Sequence, residues 1–451
     1  MNKRSVRCPL PMDIYILMLI PIISITAVGF VHFTINVNAV RAAYFLMLLA
    51  GVAVFISELG RSRIKFRVWQ TLPLSKKLLT LYTVSVLSIT SIMALASPMF
   101  AWDALRHWGE SAILISQSMS GSIEAPNIWS HRHPPGLTAT LGMQSLLFPS
   151  IGSFLSGPAV IWIVSVVSIA TSIRLSASLS GVWTLPIAAG LISIPYIENH
   201  IISWGYAGLP MTAALFAACI FFIYFERTSR LLFLLLALVS LCSVALFKNI
   251  GILYAMVTVL AALTAKFVST RPREPRAVRF KGLKFRRRFI TVAITVISAI
   301  LFAALVLKNY EGHLIQILGK RLVIYIPDSE VVTNLLVHSI LKRSSYNLSF
   351  VLIGLATLTY FLIDWEQEER YSHAFLSLLF FMALALWFSS LGTEYGLSRA
   401  VPTRDTGGTR HLLTPVIISI GFSVKSIVAF RNSAVQAVSR QMNHSKARTT
   451  F

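Results

Sequence analysis

Residues 269–288 read STRPREPRAVRFKGLKFRRR, with nine Lys or Arg against a single acid, Glu274. This is the most basic stretch of the chain, and it separates two apolar runs, 249–268 and 289–308. A block of positive charge between two runs of spanning length marks a loop retained on the cytoplasmic side of a membrane. Pro272 and Pro275 also make it the natural boundary between two bundles of helices, although a solvated, orientation-setting loop accounts for the charge without that role.

The composition of the 451 residues agrees: 55% are hydrophobic and 13% charged, with a mean hydropathy of +0.72. A soluble domain carries about 25% charged residues, so a cytosolic enzyme and a disordered tail protein are both excluded. The excess of 40 Lys and Arg over 17 acids, a net +23, would suggest nucleic acid in a soluble protein. In a polytopic membrane protein it reflects cationic cytoplasmic loops beside anionic lipid instead. Cys8, Cys219 and Cys242 have neither pairing nor metal spacing and read as packing residues.

Working outward from the basic loop, twelve spans are expected at 13–33, 40–58, 78–97, 158–176, 182–200, 207–225, 231–247, 249–268, 289–308, 347–364, 374–391 and 412–430. The basic Met1–Arg7 segment leads into the first, whose run exceeds a signal-peptide core and lacks a small-residue cleavage site. A thirteenth apolar stretch, 136–150, is short and holds Gln144 and Pro149. Counting it as a span would place 269–288 outside, against the charge rule, so it is read as a helix at the outer interface. Cytoplasmic segments then hold 28 of the 40 bases and 8 of the 17 acids, and both termini face the cytoplasm. The expected fold is an all-α polytopic membrane protein. It has an N-terminal module, 1–268, and a C-terminal module, 289–451, joined by the basic loop.

Three outer loops, 98–157, 309–346 and 392–411, differ in length from the tight connections elsewhere, and long loops in compact proteins usually carry function. The first begins SPMFAWDALRHWGESAILIS, 97–116, and continues to HRHPPGLTATLGMQSLLF, 131–148. Asp103 stands at the membrane edge between Trp102 and Trp108. It reads either as a boundary residue or as a general base that takes a proton from an acceptor hydroxyl, with Arg106 close enough to tune it.

The order of Trp102-Asp103, then His133-Pro134-Pro135-Gly136 ahead of an apolar helix, resembles the GT-C class of integral membrane glycosyltransferases. That class includes protein O-mannosyltransferases and lipid A aminoarabinose transferases. WGYAGLP at 204–210 and FKNIG at 247–251 resemble the YADLP and TKNEG elements of bacterial members, and GTRHLLTP at 408–415 resembles their RYLLP-like lead-in to a last span. The resemblance covers about 98–415. Ala104 stands where relatives often pair a second acid, which here comes only at Glu110, and Gly208 stands where they often have Asp.

The resemblance implies an enzyme of the bacterial inner membrane that takes sugar from a polyprenyl-phosphate donor to a lipid, glycan or protein acceptor at the periplasmic face. Asp103 would be the base. Arg106, Glu110, His133, Lys248, Arg404, Arg410 and His411 would contact substrate. Arg410 suits bidentate phosphate binding, while Lys248 suits a point contact with phosphate or simple snorkelling to the interface. His131 and His133 lack a third metal ligand, so no metal site is read, and a divalent cation stays open as a cofactor. Glu198, His200, Lys320, Arg321, Asp328 and Glu330 are open between cavity lining and solvated surface. The competing class is a transporter or flippase of a lipid-linked or envelope substrate. It would place charge within the spans, whereas here charge gathers at their outer ends.

Overall fold

The computed structural model describes residues 9–33, 37–62, 73–96, 108–119, 134–147, 159–199, 201, 206–269, 314–317, 320–323, 367–391 and 413–449. The spans expected at 289–308 and 347–364 and the basic loop lie outside these residues. The chain divides into two compact units, one of Met1–Leu175 and Leu179–Val259, the other of Ser176–Ser178 and Leu260–Phe451.

The first unit is helical. Three long helices open it: α1, Pro11–His32; α2, Val37–Ser62; and α3, Leu74–Ala96. Two short ones follow, α4, Glu110–Met119, and α5, Gly136–Leu147, before α6, Ala159–Ser176. After a 3-10 turn at Gly181–Trp183 come α7, Thr184–Ile192; α8, Pro195–Asn199; α9, Gly208–Thr228; α10, Leu231–Phe247; and α11, Asn249–Ser269, which passes into the second unit at Leu260. Among the described residues, six helices are long and apolar enough to cross a membrane, and three more apolar helices are shorter.

The span expected at 182–200 is not one continuous helix. Ser193 caps α7 through its N–H to the Ala189 carbonyl at 3.0 Å, and Pro195, which has no N–H to continue the ladder, opens α8. The uninterrupted apolar run hid this break.

Helix α9 is the centre of the unit. Every residue from Leu209 to Tyr224 is buried, as expected for a helix that is apolar all round. Ala213, Ala214, Ala217 and Ala218 let neighbouring backbones come close. It turns into α10 at Ser229, which adopts the left-handed conformation (φ 54°) and donates its N–H to the Phe225 carbonyl at 2.7 Å. Phe233 of α10 then stacks on Phe221 and meets Tyr224, so the hairpin is closed by aromatic contacts.

Helices α1 and α10 run parallel. Ser240 contacts the Met18 sulfur at 3.7 Å, Ser24 and Ser243 share a hydrogen bond of 2.6 Å, and Leu246 packs beside Ala27, Val28 and Val31. At the opposite end of α1, Asp13 is ion-paired with Arg174 in the last turn of α6. Arg174 also donates to the Leu179 carbonyl, and Asp13 accepts from the Leu10 N–H at 3.2 Å. Helix α2 joins α1 where Tyr15 donates to the Met47 carbonyl at 2.8 Å, over Gly51, whose missing side chain leaves room for the phenol.

The second unit holds α12, Gln367–Leu391, and α13, Leu413–Thr449. It also has an antiparallel hairpin of β1, Leu314–Ile317, and β2, Lys320–Val323, with Ile317 opposite Lys320. The hairpin lies within the expected outer loop 309–346. Helix α13 begins where the last span was expected but runs well past residue 430, for 37 residues in all. Buried Lys425 of α13 donates all three of its ammonium protons: to Glu369 of α12, to the Ser372 hydroxyl at 2.8 Å and to the Ser176 carbonyl at 3.0 Å. A buried ammonium is tolerated only when its donors are met in this way.

Candidate functional site at the end of the first unit

The starts of α4, α5 and α9 lie in or beside the motifs picked out in the sequence. Trp108, in the turn that leads into α4, lies edge-on to Tyr206, with ring centroids 6.0 Å apart at 86°. Tyr206 belongs to the WGYAGLP element just before α9. Its carbonyl accepts a hydrogen bond of 2.9 Å from the Trp162 indole near the start of α6. One residue of the third motif therefore links the start of α4, within the first long loop, to α6.

The second junction joins PPG to FKNIG. Gly136, the first residue of α5, sits so close to α10 that a Cβ there would lie 2.7 Å from the Leu246 carbonyl oxygen. Lys248, the single extended residue between α10 and α11, follows two positions later and is half-buried. Gly251 accepts a still tighter approach from the Val244 carbonyl, and its N–H donates to the Lys248 carbonyl at 2.7 Å. The glycine at the end of FKNIG thus has a steric reason. Only glycine lets the first turn of α11 fold back on the last turn of α10.

Helix α5 does not lie on a surface. Pro135 to Gln144 are all buried, and Ala139 and Met143 pack with Ala27, Val28 and Val31 of α1 and Ile115 of α4. Gly142 admits α4, since a Cβ would stand 2.8 Å from an Ile115 methyl carbon. The expected interfacial helix is therefore built into the bundle. Its 12 residues rise about 18 Å, too little for a bilayer core of about 30 Å. Helix α4 is two-sided instead, with Ala112 and Ile115 buried and Ile113 and Leu114 exposed.

Of the candidate substrate contacts, Glu110 is exposed at the first position of α4, and Lys248 is held at the α10–α11 turn. Asp103, Arg106, His133, Arg404, Arg410 and His411 lie outside the described residues, as do His131, His200 and the loop acids Asp328 and Glu330. Glu198 is partly exposed in α8, and Lys320 and Arg321 open β2. Among the described residues no group of three or more His, Cys, Asp or Glu is placed to hold a metal.

Sequence reading missed Trp162, Gly142 and the two ion pairs. Trp162 carries no motif, and the pairs join residues too far apart in the chain for spacing to reveal them. The chain matches no protein-family model, no curated protein and no solved structure.

Proposed function

We propose that this chain is a GT-C-like membrane glycosyltransferase with about twelve spans, and that the end of the first unit where α4, α5 and α9 begin belongs to its active site on the outer face. The observation that carries the reading is the convergence of motifs. Trp108 of the loop that contains Asp103 meets Tyr206 of WGYAGLP, and Gly136 of HPPG meets the α10 end beside Lys248 of FKNIG. Four separate stretches of sequence chosen for their resemblance to one enzyme class need not have come together in pairs.

In this reading the prenyl chain of the donor lies between helices, and a cation, Lys248 of the first unit or Arg410 of the second, meets its phosphate. Asp103 accepts the proton of an acceptor hydroxyl or amine. The acceptor atom bonds to the anomeric carbon as the bond from that carbon to the phosphate oxygen breaks. The electron pair leaves with the polyprenyl phosphate, whose charge that cation stabilises. One direct displacement through an oxocarbenium-like transition state inverts the anomeric centre.

The test is transfer of radiolabelled sugar from polyprenyl-phosphate donors by purified protein in detergent, wild type beside Asp103→Asn. Transfer by wild type that vanishes in a folded Asp103→Asn variant supports both the class and the base. The transporter reading draws on the buried Lys425–Glu369 pair, since charge inside a helical bundle can mark a path. Failure of wild type to bind any such donor would favour it.

A further inference from the structure

Gln144 is 6% exposed in the third turn of α5, and its amide oxygen meets no hydrogen-bond donor among the described residues. Some buried polar side chains satisfy themselves locally: Thr140 bonds the Gly136 carbonyl, and Ser165 and Ser172 bond the carbonyls four residues before them. A glutamine amide has no such local partner, and leaving its oxygen buried and unpaired opposes folding. Leu or Met would fill the same volume without that penalty, so packing does not explain the residue.

An ordered water requires two to four polar partners. The apolar cluster that this helix joins through Ala139 and Met143, with Ala27, Val28, Val31 and Ile115, has no side chain that could hold one. A polar residue kept inside an apolar bundle marks a place where a ligand arrives. The chemistry of an amide then selects the part of the ligand. Its oxygen only accepts, so a phosphate, which also only accepts, gains nothing from it, and a prenyl chain has no donor to offer. A sugar hydroxyl donates to Oε1 and accepts from Nε2.

We infer that Gln144 is a ligand-binding residue that recognises a hydroxyl of the sugar on the lipid-linked donor. The inference rests on the glycosyltransferase reading, and it adds a sugar contact on the helix whose first turn meets the α10 end beside Lys248.

The experiment compares wild type, Gln144→Leu and Gln144→Met as full-length protein in detergent. The probes are short-chain polyprenyl phosphates bearing glucose, mannose or aminoarabinose, and the same lipid phosphate without sugar. Both variants should melt no lower than wild type and bind the sugar-free lipid phosphate unchanged. Affinity for the best-bound sugar lipid should fall about three- to tenfold. Unchanged affinity for every sugar lipid, or an equal loss for sugar-bearing and sugar-free lipid, overturns the inference and leaves the enzyme class standing. If wild type binds none of the probes, the enzyme class falls, and the inference falls with it.

Discussion

Asp13, at the start of α1, and Arg174, at the end of α6, are 161 residues apart in sequence and joined as an ion pair. The start of one helix and the end of another can meet only if both ends lie at the same face of the membrane. The chain must therefore cross an even number of times from Asp13 to Arg174. The crossings expected of α1, α2, α3 and the shorter apolar α6 meet that parity with four, if α5, buried and about 18 Å long, is not counted.

This parity predicts a labelling pattern. In a variant lacking Cys8, Cys219 and Cys242, a cysteine replacing exposed Lys76, before α3, should react with a membrane-impermeant maleimide only from the cytoplasmic side. One replacing exposed Glu110 should react only from outside. Labelling of both from one side would require α5 to be counted as a crossing.

Breaking either buried ion pair should be expensive. Arg174 is 4% exposed and Lys425 is 3% exposed, so Asp13→Asn or Lys425→Met leaves a buried charge or its hydrogen-bond partners uncompensated. Each should destabilise by about 3–5 kcal/mol in a detergent unfolding titration, while the apolar double substitution Asp13→Leu with Arg174→Met recovers most of the loss. A single variant as stable as wild type would show that the pair does not form.

Ser229 should be improvable. A residue other than glycine in the left-handed region is strained by about 1 kcal/mol, and this position is where helices commonly end in glycine. Ser229→Gly is expected to raise the melting temperature of the purified protein without changing any ligand affinity. A lower melting temperature would mean that the serine hydroxyl contributes more than the strain removes.

Gly136→Val should separate α5 from α10, because the new side chain meets the Leu246 backbone rather than a movable side-chain tip. Overpacking of this kind destabilises by about 1–3 kcal/mol. It should also abolish sugar transfer in the assay above by displacing the α5 start from Lys248. Full transfer by Gly136→Val would detach the PPG element from the site.

The long helices were legible because an apolar run of spanning length has few alternatives. The end of α13 was not: hydropathy falls away near Arg431, yet from Ser433 to Thr449 no Gly or Pro interrupts the chain, and the helix simply continues. The break at Ser193 to Pro195 was present in the letters but outweighed by the apolar residues around it. Nothing in the sequence marked Asp13, Arg174 or Lys425, because what sets them apart is a partner 53 to 249 residues away. Of the candidate site, Glu110 and Lys248 are placed, while Gln144 stands out only once its burial and its unpaired amide oxygen are known. One visible sign was a lone amide inside a short hydrophobic stretch.

The serine contact between α1 and α10 also constrains how the protein is made. Ser24 leaves the ribosome 219 residues before Ser243, and translation at 5–20 residues per second makes that interval roughly 10–45 s. Throughout it the first helix stands in the bilayer without its permanent neighbour, its hydroxyl turned inward to the Pro21 carbonyl. Biogenesis must hold an unfinished bundle open on one side until the tenth helix arrives to close it.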